Sequence, residues 1–586
     1  MLISPQDYSK VLFLCANELG PPHLGLTLGV GDAILIDAIS QASGKSTSSI
    51  KEQLKTKGDL GDIAQSCKTR QQTLFKPKPL TVPFVFNELM KVAKMEGQRS
   101  RTQKTGVTTT LLVSAQGSEA KFLVRSLQGR IRIGASEATI TSAMSRAAVS
   151  YQSKVMDFDG SSFDEADAII KQAFAEINDL GSLGGELLKT KWDQISKICN
   201  FKVGFPVKPM LAKPTKSISE VLSRFETSTF TCEYKYDGER AQVHLLENGS
   251  IKIYSRNCED HTPKYPDLVE LFSKEGGVNK DHVSSFVIDC EVVAFNQSTG
   301  KIESFQKLAT RARKDVSTAN IEVTVCLFGF DLMYLNGVSK LTEKFSERRG
   351  LLHSSFNEFD GKFKFAKYLD CSSLEDISAF LDEAVNNGTE GLMVKTLDQN
   401  SEYCPARRSY KWLKVKKDYV NELGDSLDLV PIGAFYGKGK RSGQFASYIV
   451  AIYDEESEMF HAVTKVGTGF SDEVFANFTA LFQPFVLSSA PRSCRYGDIE
   501  QPDVYFDPEQ HSIVWEVKAA DLSLSPKYPA AKGIASDKGI ALRFPRFIRV
   551  REDKQVVEAT DSHSLVSFYN SQSGAKEDLN FDDDFF

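Results

Sequence analysis

Three prolines within nine residues, Pro206, Pro209 and Pro214, interrupt the chain at Gly204-Phe205-Pro206-Val207-Lys208-Pro209-Met210-Leu211-Ala212-Lys213-Pro214. Each lacks an N–H and clashes with the preceding turn, so no continuous helix crosses this stretch. The hydrophobic period differs on its two sides, which limits the chain to a helical part followed by a strand-rich part. Before it the spacing is helical, as in Ser162-Phe163-Asp164-Glu165, a capping-box sequence followed by Ile170, Phe174 and Ile177 on one stripe. After it the period is two. TCEYKYDG, RAQVHLL, SIKIYS, SFVIDCEVVAF, VTVCLFGFDLMYL, GLMVK and KWLKVKK read as strands, with a helical stretch near 373–387. Beyond Lys417, the runs LDLVPIGAFYG, SYIVAIYD, MFHAVTKVG and IVWEVKA between Gly-rich turns predict a small β-barrel. The expected organisation is multidomain, α and α+β: helical over 1–201, mixed α/β over 202–417, barrel over 418–570 and an acidic, disordered tail over 571–586. A length of 586 residues agrees, since roughly 150 residues per domain gives three or four.

Composition excludes several classes. The chain is 41% hydrophobic and 25% charged, and charges break every apolar run before the ~18 residues a membrane span needs. Its start, MLISPQDYSKVLFLCANE, has no basic segment before a sustained apolar stretch, so an intracellular chain is expected. Ten cysteines without a CxxC pair argue for reduced thiols rather than disulfides or structural zinc. The net charge of −6 argues only weakly against a polyanionic partner, because the last sixteen residues hold five acids and one lysine. Local basic patches such as Lys91, Lys94, Arg99, Arg101 and Lys104 still suit phosphates.

Gly44-Lys45-Ser46 ends like a phosphate-binding loop, but residue 39 is Ile where Gly is required and the preceding ILIDAISQ reads as helix, so it is set aside. Glu233-Tyr234-Lys235-Tyr236-Asp237-Gly238-Glu239-Arg240 carries more. In a strand, Glu233, Lys235 and Asp237 share one face, with Tyr234 and Tyr236 on the other. Asp289 and Glu291 share a face of the apolar FVIDCEVVAF, where acids are costly unless paired or metal-bound. In KWLKVKK, Trp412, Lys414 and Lys416 face one way and Leu413 and Val415 the other, which makes a two-point anion site. Glu390, in EGLMVK, adds an acid at a strand start.

EYKYDGERAQVH resembles the KxDG nucleotidyltransferase motif of ATP-dependent DNA ligases, and the eukaryotic replicative, nick-sealing group most of all. SRN at Ser255–Asn257, DCEVVAF, FGFDLMYLNG, EGLMVK, WLKVKKDY, KVGTGFSDE, VWEVKAADLSLSPKYPAAKG and RFPRFIRVREDK follow in family order. LGPPHLGLTLGVGD and SEAKFLVRSLQGRIRIG resemble the family's helical DNA-binding domain, so the likeness covers nearly the whole chain. It implies a DNA-binding domain, an adenylation domain and an OB-fold.

The resemblance further implies that Lys235 takes AMP from ATP, that AMP passes to the 5′-phosphate of a nick, and that the 3′-hydroxyl displaces it. A protonated lysine has no free electron pair, so neighbouring cations, metal and partial desolvation must favour the neutral amine. Lys414 and Lys416 would serve that end and steady the α-phosphate. Glu291 and Glu390 would hold Mg2+, and Glu291 would also touch the ribose. Phe330 would stack on adenine and Glu233 would read its amino group. Arg240, Arg256, Arg311 and Arg313 would bind phosphate or ribose. Arg551 and Lys554, in the RxDK motif, would serve lysine adenylation. Lys121, Arg125, Arg130, Arg132, Lys438, Lys440 and Arg441 would meet DNA. The sequence begins inside the family's DNA-binding region, and FDDDFF at the end does not fit a clamp-binding peptide. A monomer in the nucleus is expected, with a mitochondrial form as the alternative and sliding-clamp recruitment left open. An mRNA-capping or RNA-ligase enzyme shares KxDG and the OB-fold, but the helical N-terminal part and RFPRFIRVREDK weigh against it. A catalytically dead scaffold would need a damaged pocket, and none is visible.

Overall fold

The computed structural model describes residues 1, 3–68, 78–97, 99–154, 160–215, 218–225, 229–312, 321–371, 373–416, 426–437, 439–519, 521–534 and 536–571. They divide into two compact units, Met1–Gly44 with Cys67–Val420, and Lys45–Ser66 with Asn421–Phe586. The acidic tail expected at 571–586 lies outside the described residues beyond 571.

Helical spacing before residue 200 gives helices such as Tyr8–Ala16, Glu137–Ser153 and Gly160–Ile177, whose apolar stripes bury Leu12, Met144, Ala148, Ile170 and Phe174 in one core. One expectation needs correction. The last of these helices is under way at Gly160, so Ser162–Glu165 lies within it, whereas a cap requires non-helical backbone. A capping box instead heads the preceding helix, at Ser136 and Thr139. Gly44-Lys45-Ser46 is a turn between helices: Gly44 closes Asp32–Ser43 with φ +73°, and the Ser46 hydroxyl accepts the Ser49 N–H at the head of Thr47–Lys57. The expected basic patch over 91–104 is partly neutralised. Lys91 pairs with Glu88 and Arg101 with Asp37, and Lys104 is buried with its ammonium 2.7 Å from the Leu28 carbonyl.

The proline-rich connection is built into the fold. Gln242 brackets Val207, accepting its N–H at 3.2 Å and donating to its carbonyl at 2.6 Å. Val207 and Met210 are buried beside Val287, Met333 and Trp412. Lys208 pairs with Glu137 and stacks 4.4 Å from the Phe174 ring, tying this segment to the helices.

The strands that follow are β1 (Leu211–Pro214), β2 (Phe230–Lys235), β3 (Glu239–Leu245), β4 (Ile251–Ser255), β5 (Phe286–Asn296), β6 (Lys301–Ile302), β7 (Val325–Leu335), β8 (Val338–Ser339), β9 (Phe363–Phe365), β10 (Tyr368–Asp370), β11 (Gly391–Thr396) and β12 (Arg408–Lys416). They form a five-stranded sheet, β1-β12-β11-β2-β10, and a seven-stranded one, β4-β3-β5-β7-β8 with β6 on β5 and β9 on β7. Tyr234, Leu392, Leu413 and Val415 of the first sheet share a core with Val293 and Phe328 of the second. The expected helix near 373–387 is Leu374–Asn386, capped by Ser373.

In the other unit, strands Leu427–Tyr436, Phe445–Asp454, Met459–Val466 and Trp515–Lys518 match the runs predicted for the barrel and, with Arg546–Val550, which was not predicted, belong to a seven-stranded sheet. It encloses Tyr448 and Trp515 together with Phe478 and Phe482 of helix Asp472–Phe482.

The chain passes from one central sheet to the other through Tyr236-Asp237-Gly238, beyond the end of β2. A Cβ at Gly238 would lie 2.1 Å from the Val292 carbonyl oxygen on β5, so a backbone without side chain is required there. Gly106, in helix Ser100–Ser114, meets no atom within 4 Å. Gly238→Ala is expected to destabilise the chain by about 2 kcal/mol or more, and Gly106→Ala to raise stability by about 0.5–1 kcal/mol. Thermal unfolding followed by circular dichroism checks both, and equal melting shifts for the two variants would contradict the account.

Candidate active site

Because β2, β11 and β12 are antiparallel neighbours, their register decides which side chains stand together. Gly391 lies opposite Lys235 and Lys416, Met393 opposite Glu233 and Lys414, and Lys395 opposite Thr231 and Trp412. With period two these rows share one face, while Tyr234, Leu392, Val394, Leu413 and Val415 are buried on the other. The Glu390 N–H donates to the Lys235 carbonyl at 2.9 Å, and its carboxylate forms an ion pair with the Lys235 ammonium. Gly391, with φ +139°, adopts backbone that disfavours any other residue. It places no side chain in the row between Lys235 and Lys416. The side chain of Lys416 lies outside the described residues.

The second sheet supplies the opposite wall, where Arg240 and Glu291 are register partners on β3 and β5. Together the walls enclose a cavity of about 480 Å3 whose lining includes eight of the predicted residues, Glu233, Lys235, Arg240, Arg256, Glu291, Phe330, Glu390 and Lys414. That volume suits a nucleotide-sized ligand. Burial pushes the Glu291 carboxyl up to about 7, with Asp289 and Glu390 adding to the rise and Lys235 and Arg240 opposing it. Arg256 is exposed on the cavity wall beside Ser255 and Asn257. Phe330 meets Trp412 edge-on at 6.2 Å.

Some predicted side chains are committed elsewhere. The Arg240 fork, expected to hold phosphate or ribose, donates to both oxygens of buried Asp289 at 3.0 and 2.6 Å and to the Met210 carbonyl at 2.7 Å. Tyr403 also donates to Asp289, at 2.7 Å. Arg240 therefore neutralises an acid that would be costly if unpaired. Arg311 is absent from the cavity lining; it is buried, donating to the carbonyls of Lys264 and Val323 and to Asp267. Arg313 lies outside the described residues.

Away from the cavity, Lys121 and Arg125 stand one turn apart on helix Glu119–Leu127, and Arg130 and Arg132 are exposed just after it. Arg441 donates to Asp472 at 2.8 Å and lies over the Phe475 ring. Lys438 and the side chain of Lys440 fall outside the described residues. Arg551 donates to both oxygens of Asp428 at 2.9 and 3.0 Å and also to Asp553, while Lys554 pairs with Asp428 at 2.7 Å.

Sequence reasoning missed three features. Lys395 pairs with Glu233 at 2.6 Å, both buried. Glu239 takes two 2.7 Å bonds from Lys264 and one of 2.8 Å from Tyr265. Phe305 also lines the cavity. Only Lys395 had a signal, as the one charge ending the apolar run LMV of a segment already read as a strand.

The raised Glu291 carboxyl makes a pH-dependent contribution to stability. Its proton is held in the folded chain up to about 7 but is lost near 4.5 when unfolded, so the folded state loses stability as pH rises through that window. Glu291→Gln removes the titration. Its melting temperature relative to the parent is expected to be more favourable at pH 8 than at pH 5, as read by scanning calorimetry of the unliganded chain. A pH-independent difference would contradict the assignment.

The cavity thus brings together the amine of Lys235, the carboxylates of Glu291 and Glu390, the Lys414 ammonium and the Phe330 ring. The chain matches the ATP dependent DNA ligase domain over residues 209–416, the DNA ligase N terminus over 2–145 and the ATP dependent DNA ligase C terminal region over 441–554. It is 44% identical over 572 residues to DNA ligase 1 of Arabidopsis thaliana, covering 97% of this chain and 72% of that protein. DNA ligase 1 of Schizosaccharomyces pombe is 44% identical over 577 residues, with 97% and 74% covered. DNA ligase 1 of Dictyostelium discoideum is 44% identical over 589 residues, covering 98% of this chain but 49% of that protein, so the chain spans about half of that relative. With the adenylation-type cavity, the helical N-terminal region and the C-terminal barrel each matched, this chain belongs to the family of ATP-dependent DNA ligases.

Proposed function

We propose that the chain seals nicks bearing a 5′-phosphate and a 3′-hydroxyl in duplex DNA, at the expense of ATP, through a covalent lysine-AMP intermediate on Lys235. The observation that carries this reading is the convergence of Lys235, Glu390, Glu291, Glu233, Phe330 and Lys414 on one cavity. Lys235 in its neutral form attacks the α-phosphorus of ATP, forming the N–P bond as the bond to pyrophosphate breaks. AMP then passes from Lys235 to the 5′-phosphate of the nick, and the 3′-hydroxyl displaces AMP to close the backbone. Lys414 and Lys416, two rows of one strand face, hold the α-phosphate and its developing charge. Phe330 supplies the stacking wall for adenine and Glu233 the acceptor for its amino group. Arg256 is placed for ribose or phosphate.

Among the described residues no group of three or more His, Cys, Asp or Glu side chains is arranged to hold a metal. Glu291 and Glu390 nevertheless fit magnesium, which takes one or two carboxylates and completes its shell with water and substrate phosphate. They would hold the ion, which would supply neutralisation of phosphate charge.

Duplex binding is assigned to the basic helix end at Lys121, Arg125, Arg130 and Arg132 and to Lys438, Lys440 and Arg441. These are phosphate contacts without base reading. The reading places the enzyme in replication, including joining of lagging-strand fragments, and in repair and recombination, as a nuclear monomer with clamp recruitment as a further partner interaction.

Two variants test it. Lys235→Ala is expected to abolish labelling by α-labelled ATP while nicked-duplex binding stays near the parent level in a gel-shift assay. A normal adenylated band in that variant would overturn the nucleophile. Arg551 and Lys554 are proposed to act in adenylation, where pyrophosphate leaves. Lys554→Ala is accordingly expected to slow self-adenylation by ~10²-fold and leave closure of a pre-adenylated nick nearly unchanged. Equal impairment of both reactions would assign Lys554 to folding or DNA binding instead.

A further inference from the structure

Behind the proposed adenine site lies a buried cation. Lys395, 1% exposed on β11, places its ammonium 2.6 Å from the Glu233 carboxylate. It also donates to the Phe330 carbonyl at 3.2 Å, and the rings of Phe330, Phe345 and Trp412 each lie 4.6 Å away. A cation enclosed by three rings and facing a carboxylate has little freedom to leave it. Burial pushes the Glu233 carboxyl up, Lys395 opposes that rise, and the other charges that act on it are Asp331 and Arg349. Asp331 is bound by Arg348 at 2.7 and 2.9 Å, and Arg349 by Asp370 at 2.9 and 2.8 Å. Lys395 is thus the direct ion partner of Glu233.

We propose that Lys395 is a positioning residue for base selection: by holding one oxygen of Glu233 it keeps the carboxylate ionised and presents the other oxygen as an acceptor only. This rests on the reading of Glu233 as the group that meets the adenine amine, and deepens it. An acceptor-only oxygen takes an N–H from the 6-amino group of adenine and repels the 6-oxo oxygen of guanine. Without the lysine, a buried carboxylate avoids the cost of an unpaired charge by taking up a proton. A carboxylic acid donates to a 6-oxo group as readily as it accepts from an amine. Lys395 therefore acts through Glu233 on which nucleotide reaches Lys235, without touching the reacting atoms.

The test is self-labelling of the full chain by α-labelled ATP and GTP, with rate and apparent KM measured for the parent, Lys395→Met and Lys395→Arg. Lys395→Met is expected to raise the KM for ATP about tenfold, to change the maximal rate by less than about threefold, and to cut the preference for ATP over GTP by about tenfold or more. Lys395→Arg keeps the charge and is expected to retain most of that preference. If Lys395→Met does not melt cooperatively, Lys395→Gln replaces it with the same expectations. An unchanged preference in the folded variant, or a fall in rate shared equally by both nucleotides, overturns the inference alone. A parent chain that takes no label from ATP overturns the reading of the site with it.

Discussion

The antiparallel register of β2, β11 and β12 is the constraint on which the rest of the site depends. A slip of one residue would turn Lys235, Lys414 and Glu233 into the apolar core and bring Tyr234, Leu413 and Val415 out. The apolar face guards against that slip, because Leu392, Val394 and Val415 are fully buried and a charged replacement there would be costly. The backbone bond from Glu390 to Lys235 carries the pairing one residue past β11 and sets the Glu390 carboxylate beside the Lys235 ammonium. Gly391 then puts no side chain at the position that stands between the two lysines in register.

A second theme is how the central sheets house acids. Asp289, Asp331 and Glu233 are all buried, and each has its own cation, Arg240, Arg348 and Lys395 respectively. Breaking such a pair by removing one partner leaves a buried charge at a cost of several kcal/mol, about 3–5 by analogy with other buried pairs. Glu233, Lys395 and Arg240 line the cavity along with a second set of charges, Lys235 and Lys414 with Glu291 and Glu390.

How much of this could be read from sequence depended on whether parity or pairing carried the information. Alternation alone placed Glu233 with Lys235 and Trp412 with Lys414, and put Tyr234, Leu413 and Val415 in the core, because a strand offers only two faces. The change of hydrophobic period separated helical, mixed and barrel parts, and the resemblance supplied Phe330 and Arg256. Alternation could not say which distant acid meets which cation. Arg240 looked like a phosphate fork until Asp289, on the neighbouring strand, was seen to fill it, and Arg311 proved to be tied to Asp267 and two carbonyls away from the cavity. Lys395 was overlooked for the same reason, since its meaning lies in its cross-strand neighbour. Strand parity does not reach Asp237, because β2 ends at Lys235 and β3 begins at Glu239.

The central claim is that this register makes Lys235, rather than Lys395, Lys414 or another amine lining the cavity, the group that bonds to the α-phosphorus. Digestion of the ATP-treated chain followed by tandem mass spectrometry locates the adenylate directly. The account predicts AMP on the peptide containing Glu233-Tyr234-Lys235-Tyr236 with Lys235 as the modified residue, in parent chain and in Lys554→Ala after long incubation. AMP on Lys414 or Lys395, or spread across several lysines, would contradict it.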